Sequence, residues 1–187
     1  NYKDLLKNLE EVNNNYEEYV IKKDGLNRGK GVFVENIDFE RNVDSISKLS
    51  LGETIIVVEE KFIGNEFSLM SIIDKNNNIV HFPPIMDYKR LENGNKGCNT
   101  GGMGCVIDTN NTLPFLNNED IEIAQNVNSK VLNKIGDYRG ILYGSFIKTN
   151  DGIKIIEFNC RFGDPEAILA INMIEDNFYE ICMNYIE

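Results

Sequence analysis

Residues 155–166 read IIEFNCRFGDPE, an alternating strand pattern that ends at a glycine and a proline. Successive side chains of a strand point to opposite faces, so Glu157, Asn159 and Arg161 are predicted to share one face. Carboxylate and amide oxygens suit Mg²⁺, and a neighbouring guanidinium suits an anionic oxygen. The pattern indicates either a magnesium and phosphate site or an amphipathic edge strand with a solvated face. The opposite face is predicted to carry Ile156, Phe158 and Cys160.

Strand and helix patterns along the rest of the chain predict an α+β fold. The turn Asn150-Asp151-Gly152 predicts the hairpin that contains the stretch above. Strands are expected over residues 18–23, 32–34, 54–60, 67–74, 79–82, 141–149 and 153–158. Helices are expected over residues 38–49, 118–135 and 166–174, and residues 83–104 are expected to form one long loop. The apolar face of the helix at 118–135 is expected to consist of Ile121, Ala124, Val127, Val131 and Leu132.

The composition excludes several classes of protein. The chain has 187 residues, 42% of them hydrophobic, and a formal net charge of −11 at pH 7. Such a surface repels nucleic acid and anionic membranes, so neither is expected as a partner. No apolar run reaches the roughly 20 residues that span a bilayer, and a soluble, cytoplasmic protein is expected. The cysteines form no CxxC pair and His81 is the single histidine, so neither a zinc site nor a histidine-based triad is predicted.

A glycine-rich segment, KKDGLNRGKG, occupies residues 22–31. Its glycines allow backbone amides to approach an anion closely. It matches neither the P-loop nor the dinucleotide-binding pattern. A phosphate-binding loop and a solvated hairpin turn therefore remain equal alternatives on the residues alone. The cations that favour the phosphate loop are Lys22, Lys23, Arg28 and Lys30.

Two further segments carry groups suited to a small ligand. Asp87-Tyr88-Lys89-Arg90 is followed by the glycine-rich run from Asn99 to Gly104, whose amides could bind a carboxylate or an acyl phosphate while Asp87 accepts from an amine. In the segment EEKFIGNE, residues 59–66, a strand ends in a hinge whose backbone could meet a flat base, and Glu66 could reach ribose hydroxyls. A flexible loop and solvated charges are the respective alternatives.

Taken together, these segments resemble the ATP-grasp superfamily, and within it the glycinamide ribonucleotide synthetase (phosphoribosylamine–glycine ligase) family. The resemblance rests on VIKKDGLNRGKGVFV, VVEEKFIGNEFSLM, FPPIMDYKR, NKGCNTGGMG, YRGILYG and IIEFNCRFGDPEA. It implies an ATP-grasp fold with largely antiparallel sheets in two lobes that hold ATP between them. It also implies that glycine is activated as glycyl phosphate and joined to 5-phosphoribosylamine in purine synthesis.

The resemblance implies a role for individual residues. Lys22 and Arg161 are the expected catalytic residues, which hold the ATP phosphates and the transferred phosphoryl group. Glu157 and Asn159 are expected to ligate Mg²⁺, with Mn²⁺ as an alternative metal. The expected ATP-binding residues are Lys22, Gly25, Gly29, Lys30, Gly31, Glu59, Glu60, Phe62, Ile63 and Glu66. The expected substrate-binding residues are Asp87, Lys89, Arg90, Thr100, Gly101, Gly102, Met103, Asp164 and Glu166.

The resemblance also predicts the domain organisation. Residues 1–17 are expected to connect to a missing N-terminal domain, residues 18–63 to form a small lobe, and residues 64–187 to form a large lobe with the metal and substrate loops. Missing N- and C-terminal domains are the expected protein partners, and the isolated chain is expected to be inactive or weakly active. Lys23 stands where a small residue is common in the family. Another ATP-grasp carboxylate–amine ligase and a non-catalytic nucleotide-binding module are the alternative functions.

Overall fold

The computed structural model describes residues 18–25, 31–34 and 56–186. The chain divides into two compact units, Asn1–Lys61 and Phe62–Glu187. The expected connecting segment at 1–17 and the expected helix at 38–49 lie outside the described residues. No helix in the described part of the chain is both long enough and apolar enough to cross a membrane.

The described part of the first unit is a small antiparallel sheet. It contains β1 (Tyr19–Lys23), β2 (Val32–Val34) and β3 (Ile56–Glu60) in the order β2-β1-β3. Because side chains alternate along a strand, Tyr19 and Ile21 point to the same face of β1, and both are buried. The hairpin of β1 and β2 predicted from the sequence is confirmed, with Ile21 opposite Phe33.

The second unit is built on a four-stranded antiparallel sheet of order β11-β10-β4-β5. Its strands are β4 (Asn65–Ile73), β5 (Ile79–His81), β10 (Gly140–Thr149) and β11 (Gly152–Asn159). The two predicted hairpins, β4 with β5 and β10 with β11, are both confirmed. The central strands β4 and β10 contain β-branched and aromatic side chains, which pack well on a pleated surface.

Helix α1 (Asn118–Ile135) packs against one face of this sheet, with the bounds that the periodicity predicted. Asn117 and Asp120 form a reciprocal capping box that satisfies the first backbone amides of the helix. The predicted face is confirmed at Ala124 and Leu132, which are fully buried. The pattern did not indicate Asn128, which is also fully buried. The apolar cluster at this face comprises Phe67, Leu69, Leu113, Leu116, Ala124 and Phe146.

Two shorter helices accompany a second apolar cluster of the sheet. They are α2 (Glu166–Asn172) and α3 (Phe178–Ile186). Helix α2 was predicted to continue to Ile174, but it ends at Asn172. The backbone N–H of Met173 donates to the carbonyls of Ala170 and Ile171. Helix α3 has no counterpart among the helices expected from the sequence. The buried residues of this cluster are Met70, Ile72, Phe82, Ile85, Ile141, Tyr143 and Ala170.

The segment at 83–104 is more ordered than expected. It contains β6 (Met86–Asp87), β7 (Arg90–Glu92) and β8 (Lys96–Asn99), and β9 (Cys105–Val106) follows it. Strand β6 pairs with β9 and β7 pairs with β8, both antiparallel. The prediction of one long loop was therefore wrong. Strands of two to four residues carry no readable alternation, and backbone pairing alone defines them.

Candidate functional site

Strand register places a row of polar side chains on the sheet of the second unit. Residues directly opposite each other on antiparallel strands point to the same face. Ser145 of β10 lies opposite both Ser68 of β4 and Glu157 of β11. Tyr143, two residues away on the same face, lies opposite Asn159. The neighbouring positions Phe67 and Phe146 belong to the apolar cluster under α1, so the polar row lies on the other face of the sheet.

A β-bulge adjusts this row at β11. Ser145 pairs with Glu157, whereas Phe146 pairs with Ile155, so Ile156 is an additional residue in the register. The predicted alternation is therefore interrupted at Ile156 and holds from Glu157 to Asn159. Bulges re-aim side chains and occur often beside functional sites. This bulge brings Glu157 back to the polar face beside Ser145.

Glu157 and Asn159 form the candidate metal site. The Asn159 amide Nδ2 donates to Glu157 Oε1 over 3.0 Å. Their contact leaves the second carboxylate oxygen and the amide oxygen as hard acceptors, and this donor set fits Mg²⁺. No group of three or more His, Cys, Asp or Glu side chains able to hold a metal occurs among residues 18–25, 31–34 and 56–186. A magnesium ion at this site would therefore take its remaining ligands from phosphate and water, as is usual for Mg²⁺.

A polar pocket lies beside this pair on the same sheet. Lys89 is its central cation, and Lys89 Nζ lies 3.4 Å from Glu66 Oε2 and 3.7 Å from Asp87 Oδ2. The structure thus brings together Glu66, which was predicted to bind adenosine, and two predicted substrate residues. The residues that line the pocket are Glu66, Phe67, Ser68, Asp87, Lys89, Tyr143 and Ser145.

The electrostatics of the pocket are dominated by Asp87. Burial raises the pKa of Asp87; Lys89 opposes this rise, the charges of Glu166 and Glu66 add to it, and the resulting pKa is about 6. Burial alone would lower the pKa of Lys89, but the carboxylates of Glu66 and Asp87 outweigh it and raise that pKa. Asp87 Oδ1 is buried and accepts no hydrogen bond from any described residue. The pocket therefore contains a buried acceptor, Asp87 Oδ1, without a hydrogen-bond donor among the described residues, and the ammonium group of Lys89 lies beside it.

Glu166 reaches the same cluster from the first turn of α2. It is only 1% exposed, and the Tyr143 hydroxyl donates to Glu166 Oε1 over 2.7 Å. Burial, together with the neighbouring Glu166 charge, raises the pKa of Tyr143, so the phenol remains a donor. Glu166 was predicted from its motif to contact substrate. In this structure its carboxylate accepts a hydrogen bond from Tyr143.

The glycine-rich loop at residues 99–104, which was predicted to bind substrate, packs against the segment that carries Asp164. Thr100 anchors it, because its backbone N–H and its hydroxyl both donate to the Lys89 carbonyl, over 2.7 and 2.9 Å. A Cβ at Gly102, where φ is +131°, would lie 2.4 Å from Pro165 Cδ and 3.3 Å from the Asp164 carbonyl oxygen. Only glycine fits this approach. Gly101 is exposed and Met103 is 55% exposed.

Two predicted arginines make contacts within their own segments. Arg90 Nη1 donates to the Gly97 carbonyl over 3.0 Å, which ties β7 to β8. Arg161 is exposed, and its Nη1 donates to the Phe162 carbonyl over 2.8 Å. Arg161 lies two residues after Asn159, the last residue of β11, and so lies just beyond the strand that carries Glu157 and Asn159.

The first unit contains its own cluster of predicted ATP-binding residues. Lys22 Nζ lies 2.5 Å from Glu59 Oε2, which joins a predicted phosphate ligand to a predicted adenosine ligand. Gly25 has φ +86° in the turn after β1, a conformation typical of glycine. Gly31 is buried, and its carbonyl accepts from the Lys23 N–H over 2.8 Å. Glu60 is exposed, and the predicted ligands Gly29 and Lys30 lie outside the described residues.

The remaining predicted adenosine residues begin the second unit. Ile63 is 77% exposed. Phe62 is half-buried, and Lys154 Nζ lies 6.0 Å from the centroid of its ring. A Cβ at Gly64 would lie 2.0 Å from the Lys148 carbonyl oxygen, so the chain passes close to the sheet here. The exposed Ile63 side chain and the Phe62 ring are suited to a flat apolar ligand.

The family follows from comparison with known proteins. The model of the phosphoribosylglycinamide synthetase ATP-grasp (A) domain matches residues 1–167. The chain belongs to this family. The ATP-grasp domain is also 42% identical to the phosphoribosylamine–glycine ligase of Methanosarcina acetivorans over 169 residues, which are 86% of this chain and 38% of that protein. The resemblance drawn from the motifs is confirmed.

Two further comparisons of this ATP-grasp domain point to the same family. The phosphoribosylamine–glycine ligase of Methanothermobacter thermautotrophicus is 36% identical over 181 residues, which are 91% of this chain and 41% of that protein. The crystal structure of phosphoribosylamine–glycine ligase from Thermotoga maritima superposes with a TM-score of 0.72 at 32% identity, over 98% of this chain and 47% of that one. The chain thus spans about 40% of the length of the curated relatives it matches.

The predicted fold is confirmed as well. D-alanyl-alanine synthetase A from Vibrio cholerae superposes with a TM-score of 0.70 at 14% identity, over 96% of this chain and 54% of that one. At that identity the likeness concerns the fold alone. The sheets described above are antiparallel, as the ATP-grasp expectation required.

Three polar residues that line the pocket of this ATP-grasp domain were not predicted from the sequence. They are Ser68, Tyr143 and Ser145, each of which lines the pocket from a central strand. The available signal was a set of polar residues at alternate positions of two otherwise apolar strands. A buried hydroxyl requires a hydrogen-bond partner, so such residues indicate a polar face. The alternation Tyr143–Ser145 in GILYGSF marks the same face that register assigns to Glu157 and Asn159.

Proposed function

We propose that the chain is the ATP-grasp core of a phosphoribosylamine–glycine ligase. It binds ATP with Mg²⁺, activates glycine as glycyl phosphate, and passes the glycyl group to 5-phosphoribosylamine. The observation that carries the proposal is the pocket of Asp87, Lys89 and Glu66, which lies on the same sheet as the Glu157–Asn159 pair in a chain of this family. Domains of the longer relatives, outside residues 1–187, complete the enzyme.

The proposed reaction has two steps that balance without a protein nucleophile. A carboxylate oxygen of glycine attacks the γ-phosphorus, the bond from phosphorus to the β–γ bridging oxygen breaks, and ADP leaves. The amine of 5-phosphoribosylamine then attacks the carbonyl carbon of glycyl phosphate, loses a proton, and displaces phosphate. Such phosphoryl transfer depends on positioning and charge stabilisation, so no histidine base is required.

Each cluster of the chain has a proposed part in this reaction. Glu157 and Asn159 hold the magnesium ion, which, when bound, neutralises charge on the phosphates. Lys22 binds phosphate oxygens once they compete with its ion pair to Glu59, and Arg161 stabilises the phosphoryl group in transfer. The glycine-rich loop supplies further phosphate contacts, from Gly25, Gly29, Lys30 and Gly31. The adenosine side of the ATP site is bordered by Glu59, Glu60, Phe62, Ile63 and Glu66.

The substrate side is proposed to bind the amino acid by its two charged ends. Asp87 Oδ1, the buried acceptor described above, takes a hydrogen bond from the ammonium group of glycine. Amides of the loop at Thr100–Met103 face the carboxylate, and Lys89 attracts an anionic oxygen. Arg90, Asp164 and Glu166 define the outer boundary of this side. The narrow fit at Gly102 holds the loop against the segment at 164–165.

Calorimetric titration with a non-hydrolysable ATP analogue, with and without Mg²⁺, tests the nucleotide site. Wild type is expected to bind more tightly with Mg²⁺, and Glu157→Gln is expected to lose at least about tenfold of the magnesium-dependent affinity. Glu122→Gln is the matched control, because Glu122 is an exposed carboxylate of α1, on the other face of the sheet. Equal, magnesium-independent affinities in all three proteins would reject the proposed site.

The acid substrate is tested separately, in a form that carries the domains of the longer relatives. ADP release is measured with glycine, alanine or bicarbonate as the acid, in the presence of 5-phosphoribosylamine. Release that depends on glycine supports the proposal. Release with another acid would identify a different carboxylate–amine ligase, and tight nucleotide binding without any release would identify a non-catalytic module.

A further inference from the structure

Ser145 lies where the candidate metal pair and the polar pocket meet. On the central strand β10 it is directly opposite Glu157 of β11 in the register. Side chains at such opposite positions have Cβ atoms about 4.5–5.5 Å apart. Ser145 also lines the pocket that contains Asp87 and Lys89. No other described residue combines the register position opposite Glu157 with a place in that pocket.

The hydroxyl of Ser145 is buried without a partner. The residue is 2% exposed, and no hydrogen bond joins its Oγ to another residue in the described part of the chain. The other hydroxyls of the pocket have partners. Ser68 Oγ donates to the Ile85 carbonyl over 3.2 Å. The Tyr143 hydroxyl donates to Glu166 Oε1 over 2.7 Å. A buried hydroxyl that lacks a partner is unfavourable, so its retention in a pocket indicates that a ligand supplies the partner.

The position of the hydroxyl indicates the chemistry of that ligand. In the proposed reaction, the terminal phosphoryl group moves from the nucleotide, on the side of Glu157 and Asn159, to an amino-acid carboxylate beside Lys89. Ser145 lies between these two sides of the sheet. An O–H group that donates to an ionised phosphoryl oxygen forms a short, charge-assisted hydrogen bond. The ammonium group of the amino acid already has a buried acceptor in Asp87 Oδ1. The hydroxyl is therefore better suited to the phosphoryl group.

We propose that Ser145 is a phosphoryl-binding residue whose hydroxyl donates to an oxygen of the γ-phosphoryl group of the nucleotide. This assignment rests on the proposed function, from which it takes the nucleotide and the direction of transfer. The hydroxyl keeps its proton and forms no bond to phosphorus. Because a central strand fixes its position, the donor needs little reorganisation when the ligand arrives. The hydroxyl is unfavourable in the unliganded chain and favourable in the complex, so its removal should affect folding and binding differently.

The test compares Ser145→Ala with wild type in two measurements. Calorimetric titration in the presence of Mg²⁺ is carried out with ADP and with a non-hydrolysable ATP analogue, which differs from ADP by its γ-phosphoryl group. Ser145→Ala should weaken the analogue by about tenfold, the effect of one hydrogen bond to a charged group, and leave the affinity for ADP unchanged. In thermal unfolding without ligand, its Tm should stay within about 2 °C of wild type or rise, because no hydrogen bond within the protein is lost.

Ser71→Ala is the matched control, because Ser71 is an equally buried serine of the same sheet whose hydroxyl has partners. Ser71 Oγ is hydrogen-bonded to His81 Nδ1 over 2.7 Å and accepts from Asn128 Nδ2 over 2.8 Å. Asn128 belongs to α1, so Ser71 lies on the face of the sheet away from the pocket. Ser71→Ala should lower Tm by roughly 2–10 °C and leave the difference in affinity between ADP and the analogue unchanged.

Several results would overturn the assignment. One is a wild-type affinity of Ser145→Ala for the analogue, and another is an equal loss for ADP and the analogue, because neither depends on the γ-phosphoryl group. A fall in Tm as large as that of Ser71→Ala would show that the hydroxyl has a structural role instead. Binding by wild type that Ser145→Ala preserves rejects the assignment alone. If wild type binds neither nucleotide, the proposed function fails together with the assignment.

Discussion

Gly101 and Gly102 are adjacent in the glycine-rich loop at residues 99–104 but occupy very different environments. A Cβ at Gly102 would lie 2.4 Å from Pro165 Cδ, and the residue has φ +131°. A Cβ at Gly101 would meet nothing within 4 Å, and its φ is not in the left-handed region. The pair therefore allows one substitution, glycine to alanine, to be compared in a crowded position and in an open one.

Gly102→Ala is expected to lower the free energy of unfolding by about 2–5 kcal/mol. Overpacking against Pro165 contributes about 1–3 kcal/mol, and an unfavourable backbone conformation adds about 1–2 kcal/mol. For a chain of this size each kcal/mol lowers Tm by roughly 2–4 °C, so a fall of roughly 4–20 °C follows. Gly101→Ala should change Tm by no more than about 2 °C.

The assay is thermal unfolding of both variants and wild type, followed by circular dichroism and calorimetry under identical conditions. The same variants are then titrated with glycine, because Gly102→Ala should also displace the loop from the segment that carries Asp164. Equal melting temperatures for the two variants would refute the claim that the loop packs closely on Pro165. A large loss in Gly101→Ala would show that the loop is constrained by contacts other than the one at Gly102.

Two further predictions concern the scaffold under the site. Phe146 is fully buried and stacks on Phe67 with ring centroids 5.5 Å apart. Phe146→Ala should therefore lower the free energy of unfolding, measured with denaturant, by about 3–5 kcal/mol. The control Ile123→Ala, at a side chain that is 39% exposed, should lower it by less than about 1 kcal/mol. Burial lowers the pKa of His81 below its ordinary value of 6.5, so the unfolded chain binds a proton at this residue more readily than the folded chain. The contribution of His81 to stability is therefore fully present above pH 6.5 and is lost as the pH falls below it. Between pH 7.5 and about 5.5, the Tm of His81→Gln should therefore fall less than the Tm of wild type. An identical dependence of Tm on pH in the two proteins would contradict this reasoning.

Local patterns in the chain were sufficient to predict most of the scaffold. The helix at 118–135 was predicted with its observed bounds, because an apolar period of 3.6 residues depends on neighbouring residues only. The hairpin around Asn150-Asp151-Gly152 was predicted for the same reason, since its turn residues select the backbone conformation. The short strands in 83–104 were missed, because strands of two to four residues carry no readable alternation. Helix α3 was missed as well.

The composition of the site was partly readable, but its electrostatics were not. Motifs placed Asp87, Lys89 and Glu166 on the substrate side, and alternation placed Glu157 beside Asn159, which the structure confirms as a contact. Alternation did not predict the bulge at Ile156, because an extra residue in one strand is defined only by its pairing with another.

By itself, the sequence determined the family, the α+β class, the hairpins and the segments that supply the polar groups, because motif order and side-chain period are properties of the chain. Only the tertiary structure decided that Tyr143 bonds to Glu166, that Lys89 lies between Glu66 and Asp87, and that Asp87 is buried with a pKa of about 6. The residues of the Tyr143–Glu166 pair are 23 positions apart. Coulomb energies and desolvation depend on distance and burial in space, which a local pattern in the sequence does not specify.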